Sequence, residues 1–378
     1  MEPQDEAQAV MVLNALPDFG PVGIRKLVQR FGSARAVLAA SAEALEPVLS
    51  APKRQCLLNW RERFDLGREL ERLKTLQARF IPAGDAAYPS RLQGQRDAPV
   101  GLYQRGEVDW RLPAVAIVGT RGCSQYGRKV AYEWAKTLAA NGVIVVSGLA
   151  LGVDAYAHQG ALDGGGKTVG VLGNGLDVVY PRENRELYAR MAEEGALLTE
   201  FYLGRKADRQ TFPQRNRIVA GISQATLVIE TDERGGSLIT ARFALEQGRT
   251  VLALPGRIDQ PTSKGCHMLI REGAILVTSP EEVLEELSWR PEPLELDFGA
   301  PEEDGHAANM ATPPAALEQL DPASRQILEL LAEGEVLHVD QLSERLDRAP
   351  AEVGAQLMLL EIEGWVSKRF DGTYEKAY

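Results

Sequence analysis

The chain has 378 residues, 44% of them hydrophobic and 25% charged, with a net charge of −11 at pH 7. That length suffices for two or three domains with cores of their own, and no apolar run approaches the roughly 20 residues that a membrane-spanning helix requires. The acid is unevenly placed: residues 105–275 hold 21 Lys and Arg against 18 Asp and Glu, which leaves −14 for the flanks. A mildly basic centre between acidic ends fits a local phosphate-binding groove better than a surface coated in positive charge.

The amino terminus, MEPQDEAQ, is acidic and lacks the basic start and apolar run of a secretion signal, which points to a cytoplasmic protein. Cys56, Cys123 and Cys266 lie too far apart for a CxxC clip, and His158, His267, His306 and His338 are equally scattered. Reduced thiols and no metal site are the expectation.

Residues 9–77 read as helices throughout. Asp18-Phe19-Gly20-Pro21-Val22-Gly23, followed by Ile24, Leu27, Val28 and Phe31 at helical spacing, marks a tight turn between two short helices. Such a hairpin can set backbone N–H groups against a phosphate, but Arg25, Lys26 and Arg30 are nearly its only cations, so a small helical bundle is the plainer reading. The resulting expectation is a SAM- or helix-hairpin-helix-like domain over residues 1–81.

From Ala114 short apolar runs alternate with helical segments. Strands are expected at Val115–Val118, Val143–Val146, Thr168–Leu172, Ala196–Thr199, Thr226–Ile229, Thr250–Leu254 and Ala274–Val277. Helix-length stretches with glycine at the joints separate most of them, which is the pattern of a Rossmann-like, doubly wound α/β fold with a mostly parallel sheet over residues 82–287. Residues 82–113, with Pro82, Pro89, Pro99 and Pro113, read as an extension packed on the sheet edge.

Proline and acid dominate residues 288–316, a linker composition. Beyond it three helices are expected, Pro322–Ala332, Val339–Leu346 and Pro350–Glu363. A hairpin follows, Trp365–Phe370 and Thr373–Glu375, turning at Asp371-Gly372. Three helices and a hairpin over 317–378 make a winged helix. Its third helix contains no Lys or Arg, and residues 317–378 hold 6 basic against 13 acidic residues. A helix of that kind repels phosphates, which points to a protein-contact or regulatory module with Lys368 and Arg369 as its only plausible DNA contacts.

Chemistry gathers in the centre. Gly119-Thr120-Arg121-Gly122 follows a strand, where doubly wound sheets bind ligands, but Arg121 occupies the second glycine position of the dinucleotide fingerprint. A guanidinium there suits a phosphodiester better than a buried dinucleotide. Gly164-Gly165-Gly166-Lys167-Thr168 fails as a P-loop because Ala161 replaces its first glycine and the run opens a strand, though Lys167 can reach a phosphate from a sheet rim. Ser147-Gly148 through Asp154 offers a second cradle of N–H groups, and Asp154 and His158, at i and i+4, are close enough to pair. Phe212-Pro213-Gln214-Arg215-Asn216-Arg217 combines charges for phosphates with a ring for a base. Gly235-Gly236-Ser237 opens a helix with free N–H groups. No activated nucleophile is visible.

AIVGTR, SGLALGVDAYAH, VLGNGLDVVYP, FPQRNRI, GGSLITA, ALPG and SKGCHMLIREGA, in this order, closely resemble the bacterial DNA-processing protein A family over about residues 82–280. The resemblance implies a protein that is not an enzyme and needs no cofactor. It binds incoming single-stranded DNA in natural transformation, protects it, and loads the recombinase RecA onto it. Gly119, Thr120, Arg121, Ser147 and Gly148 would line the DNA groove, joined by Lys167, Arg215 and Asn216. The residues' own chemistry adds Phe212, Arg217, Gly236 and Ser237. The family self-associates through the region matching His267 to Ile275, so Met268, Leu269, Ile270 and Ile275 would join two copies in a homodimer. The rival is a nucleotide phosphoribohydrolase on a related scaffold, but its catalytic carboxylate position holds Ala241 or Arg242, and Glu246 comes one turn too late. An oxidoreductase is weakened by the altered fingerprint.

Overall fold

The computed structural model describes residues 1–288, 321–331, 336–346, 348–362, 365–368 and 373–376. It divides into two compact units, Met1–Leu294 and Glu295–Tyr378. The expected linker lies almost wholly outside the described residues, as do the hairpin turn at Asp371-Gly372 and the expected helix end at Glu363.

The first unit opens with seven helices: α1 (Glu6–Ala15), α2 (Pro21–Phe31), α3 (Ala34–Ala39), α4 (Ala42–Leu45), α5 (Ala51–Leu58), α6 (Trp60–Arg63) and α7 (Leu66–Thr75). Turn chemistry sets the α1–α2 hairpin, since Pro21 supplies a pre-set φ at the first helical position and Gly32 closes α2 in the left-handed region at φ 89°. These helices do not close a core by themselves. Leu13, Trp60 and Leu66 belong to one apolar cluster with Tyr103, Tyr188, Met191 and Leu197 of the sheet region. The front helices and the sheet therefore share buried surface across residue 81.

A nine-stranded sheet follows. Its strands are β1 (Ala78–Pro82), β2 (Gly101–Gly106), β3 (Ala114–Val118), β4 (Ile144–Ser147), β5 (Thr168–Val171), β6 (Ala196–Thr199), β7 (Ala225–Val228), β8 (Thr250–Ala253) and β9 (Ile275–Leu276). The spatial order is β1-β2-β6-β5-β4-β3-β7-β8-β9. From β3 to β9 every pairing is parallel, while β1 and β2 add an antiparallel pair at the β6 edge. The extension expected over 82–113 is thus partly sheet. All seven expected strands are present, with β9 reduced to two residues.

Helices α8 (Gln125–Ala140), α9 (Val153–Asp163), α10 (Arg185–Glu194), α11 (Thr211–Gly221), α12 (Ser237–Glu246), α13 (Lys264–Arg271) and α14 (Pro280–Ser288) cover the sheet. Alternation along β3 divides the core: Val115 and Ile117 pack with α8 and α9, while Ala114, Ala116 and Val118 pack with α11, α12 and α13. Successive strands step one way from β3 through β4, β5 and β6, then the other way through β7, β8 and β9. The carboxyl ends of β3 and β7 therefore flank the switch point at which such sheets hold ligands.

The second unit contains α15 (Pro322–Leu330), α16 (Val339–Leu346) and α17 (Pro350–Ile362), with β10 (Val336–His338), β11 (Val366–Lys368) and β12 (Thr373–Lys376) in the order β10-β12-β11, both pairings antiparallel. Ile327, Leu342, Leu357 and Leu360 share its core. This is the expected winged helix, with β10 as a third strand that sequence pattern alone did not show.

Candidate nucleic-acid interface

The rim is built on crosslinks between loops. After β3 the chain turns through Gly119, whose Cβ position lies 2.5 Å from Val153 Cγ2 and 2.9 Å from Glu230 O, so only glycine fits without displacing its neighbours. Thr120 N donates to Glu230 O at 2.7 Å, tying the end of β3 to the end of β7. The Glu230 carboxylate accepts from Ser124 N (2.8 Å) and Ser124 Oγ (2.5 Å), and Ser124 in turn caps α8.

A groove of about 520 Å³ runs along this rim, lined among others by Gly119, Arg121, Asp154, Phe212, Asn216 and Arg234. Arg121 is exposed and its guanidinium lies 5.4 Å from the Phe212 ring centre, within range of a cation–π contact. Arg209 and Arg234, which sequence reasoning missed, line the same groove, are exposed, and make no ion pair among the described residues. Arg234 sits in the loop that follows β7, so the switch-point argument applied to that strand would have found it. At the start of α12 the Gly236 and Ser237 N–H groups carry no hydrogen bond among the described residues, and Ser237 Oγ is buried without a partner. Such a helix start attracts anions.

Beside the groove is a smaller, more enclosed pocket lined by Arg121, Leu151, Gly173, Asn174, Tyr180 and Phe212, with further residues behind them. The Tyr180 and Phe212 ring centres are 5.7 Å apart. Asn174 commits its amide nitrogen to Gly175 O (3.1 Å) and Val178 O (2.7 Å), and its Oδ1 accepts no hydrogen bond among the described residues. Two rings, aliphatic walls and one spare acceptor match an unstacked base.

Arg215 lines the groove but is only 5% exposed: it donates to Gly148 O and Val171 O from beneath the rim, and burial brings its pKa down to about 10. It supports the loop from inside, and its guanidinium fills the space a Gly148 side chain would need. Other expected contacts lie elsewhere. Arg217 faces away from the groove and pairs with Glu200. Two residues apart on a helix are turned by about 200°, so Arg215 and Arg217 cannot share a face. Lys167 stands before β5, at the amino end of the sheet, with Nζ 3.0 Å from Glu194 O. Ser147 is fully buried, its Oγ donating to Ile117 O at 2.6 Å. The second cradle is filled from within: Asp154 Oδ2 accepts from Gly148 N (3.1 Å) and Ala150 N (3.4 Å). Burial pushes the Asp154 carboxyl above the ordinary carboxylate range, against the pull of Arg215.

His158 does not pair with Asp154. Its Nδ1 meets Thr168 Oγ1 at 2.7 Å, and burial holds its pKa down to about 3. The carboxylates lining the groove are Asp154 and Asp232, while Ala241 is buried in the core and Glu246 is exposed at the far end of α12.

At the far sheet edge β9 exposes Ile275 (38%) and Leu276 (47%). Met268 and Ile270 are half-buried, and His267 Nε2 lies 2.9 Å from Gly256 O. Leu269 belongs to the core with Ala241 and Val251, so it is not available to a surface contact.

Residues 79–288 match the family model for the DNA recombination-mediator protein A, and residues 311–372 match the DprA winged helix domain. The chain is 42% identical to Protein Smf of Escherichia coli over 76% of its own length and 75% of the relative's. It is 45% identical to DNA processing protein DprA of Streptococcus pneumoniae, over 54% of this chain and 73% of that one. Among solved structures, DNA processing protein A from Streptococcus pneumoniae superposes with a TM-score of 0.65 at 34% identity, covering 76% of this chain and 99% of that one. That from Helicobacter pylori, solved in a study of its single-stranded DNA binding mode, gives 0.51 at 29%, covering 56% and 96%.

Proposed function

The chain belongs to the DNA recombination-mediator protein A family, and from that premise we propose that it grips single-stranded DNA along the rim between β3 and β7 and cleaves nothing. One observation carries the reading: Arg121, Arg209 and Arg234 stand exposed in one groove beside the open start of α12, next to a pocket walled by the Tyr180 and Phe212 rings. Phosphates run past the guanidinium groups and the α12 amides, held by charge-assisted hydrogen bonds. A base stacks beside the Tyr180–Phe212 pair and gives a hydrogen bond to Asn174 Oδ1. Duplex DNA hides its base faces and cannot use this pocket.

The bound strand is DNA taken up in natural transformation, kept from degradation and passed to RecA for homologous recombination in the cytoplasm. The exposed edge of β9, with Met268 and Ile270, joins a second copy and extends the groove across a homodimer. No step here requires a nucleophile or a cofactor. A crystal structure with bound oligothymidylate tests the reading: density along Arg121 and α12 with one base beside Phe212 supports it, and an oligonucleotide seated elsewhere with an empty rim overturns it. Incubation with nucleoside monophosphates tests the hydrolase alternative, which predicts released free base.

A further inference from the structure

Helix α11 has two lined faces. Phe212, Arg215 and Asn216 face the groove, while Gln210, Gln214 and Arg217 face a cleft of about 850 Å³ on the other side. In that cleft Arg217 Nη2 donates to Glu200 Oε2 at 2.5 Å, and both residues are 8% exposed. Arg217 Nε lies 3.8 Å from Asp97 Oδ2. Among the described residues Glu200 Oε1 has no hydrogen-bond partner, so Arg217 is the group that holds this carboxylate. The ends of the pair are anchored as well. Asn14 of α1 donates to Glu200 O at 2.6 Å, and Gln247, at the end of α12, donates to Arg217 O at 3.1 Å. The Arg217 side chain links α11 to the end of β6 and to the segment before β2, while Asn14 ties Glu200 to a front helix and Gln247 ties α11 to the end of α12.

We infer that Glu200 and Arg217 form a positioning pair: they set the placement of α11, and through it the groove's aromatic wall, so that DNA affinity depends on two residues that touch no DNA. This rests on the single-strand reading above. A buried ion pair is a poor source of net stability because desolvation offsets its attraction, but its geometry is demanding. Here it acts on the helix that carries Phe212, whose ring partners Arg121 and Tyr180 stand on other elements. A shift of α11 opens or closes the pocket without changing any charge on the rim.

The test uses the full-length chain and fluorescence anisotropy of a labelled oligothymidylate over a series of salt concentrations. Arg217→Met is expected to weaken binding about fivefold or more, with the dependence of log Kd on log salt unchanged because no phosphate contact is lost. Glu200→Gln, nearly isosteric, should weaken binding similarly, and the double variant no further than either single. Asp97→Asn serves as a milder probe of the same linkage if either variant folds poorly. The inference is overturned if Arg217→Met flattens the salt dependence by about one charge, which marks a direct phosphate contact. It is equally overturned if both single variants bind as the parent does. A parent chain that binds no oligothymidylate at all would sink the single-strand reading instead.

Discussion

The rim between β3 and β7 and the third helix of the winged unit, α17, are the two places where nucleic acid would be sought, and they carry opposite chemistry. The rim holds Arg121, Arg209 and Arg234 with free backbone amides. Helix α17 exposes Met358 (63%) and Leu359 (54%), with Glu352 and Glu361 also exposed and no basic residue along its length. A fold commonly used to read DNA thus presents apolar and acidic groups, while a fold commonly used for small cofactors presents guanidinium groups. Function follows the side chains on a scaffold, not the scaffold.

The sharpest way to break this contrast is to spoil the rim's backbone. Gly119→Val drives a side chain into Val153 and Glu230 O, and should cost about 3 kcal/mol or more of stability, read from denaturant midpoints. Arg121→Ala leaves the fold intact; it should lower affinity for oligothymidylate about tenfold and reduce the salt slope by about one.

Acid separates the rim from its surroundings in a further way. His158 stays neutral when folded, down to about pH 3, yet titrates near 6.5 when unfolded, so the unfolded chain binds more protons between those values and stability falls as pH drops through that window. From pH 7 to 5.5 the loss should be about 1 kcal/mol, and His158→Gln should remove that component of the slope. Arg209→Ala and Arg234→Ala, at exposed and screened positions, should each weaken binding only about two- to fivefold in titrations at moderate salt. Smallest of all, Glu352→Gln on α17 and Lys167→Ala at the opposite end of the sheet should leave single-strand affinity within about twofold. A large loss from either would erase the distinction between the two regions.

Much of this was legible in the sequence because period-two and period-3.6 patterns survive wherever a face is buried. The seven strands from β3 to β9, and Gly119 at the end of the first, follow from apolar runs punctuated by glycine. Strands β1 and β2 were not legible: ARFIP and GLYQRG are short, carry arginine or end in proline, and gain their place by pairing, β1 with β2 and β2 with β6. The FPQRNR run misled for a different reason. Without knowing that it is helical, Arg215 and Arg217 look like a pair of phosphate contacts, whereas a helix turns one under the rim and the other into the opposite cleft. Asp154 was read as an i,i+4 partner of His158, but its carboxylate folds back onto the amides of residues 148 and 150, a contact that depends on a positive φ at Leu149.

That last contact has a consequence for how the strand is caught. An internal acid already occupies the socket formed by the amides of residues 148 and 150. The loop should hold its shape when nothing is bound, so capture costs little ordering entropy and association should be governed by electrostatic encounter rather than by slow rearrangement.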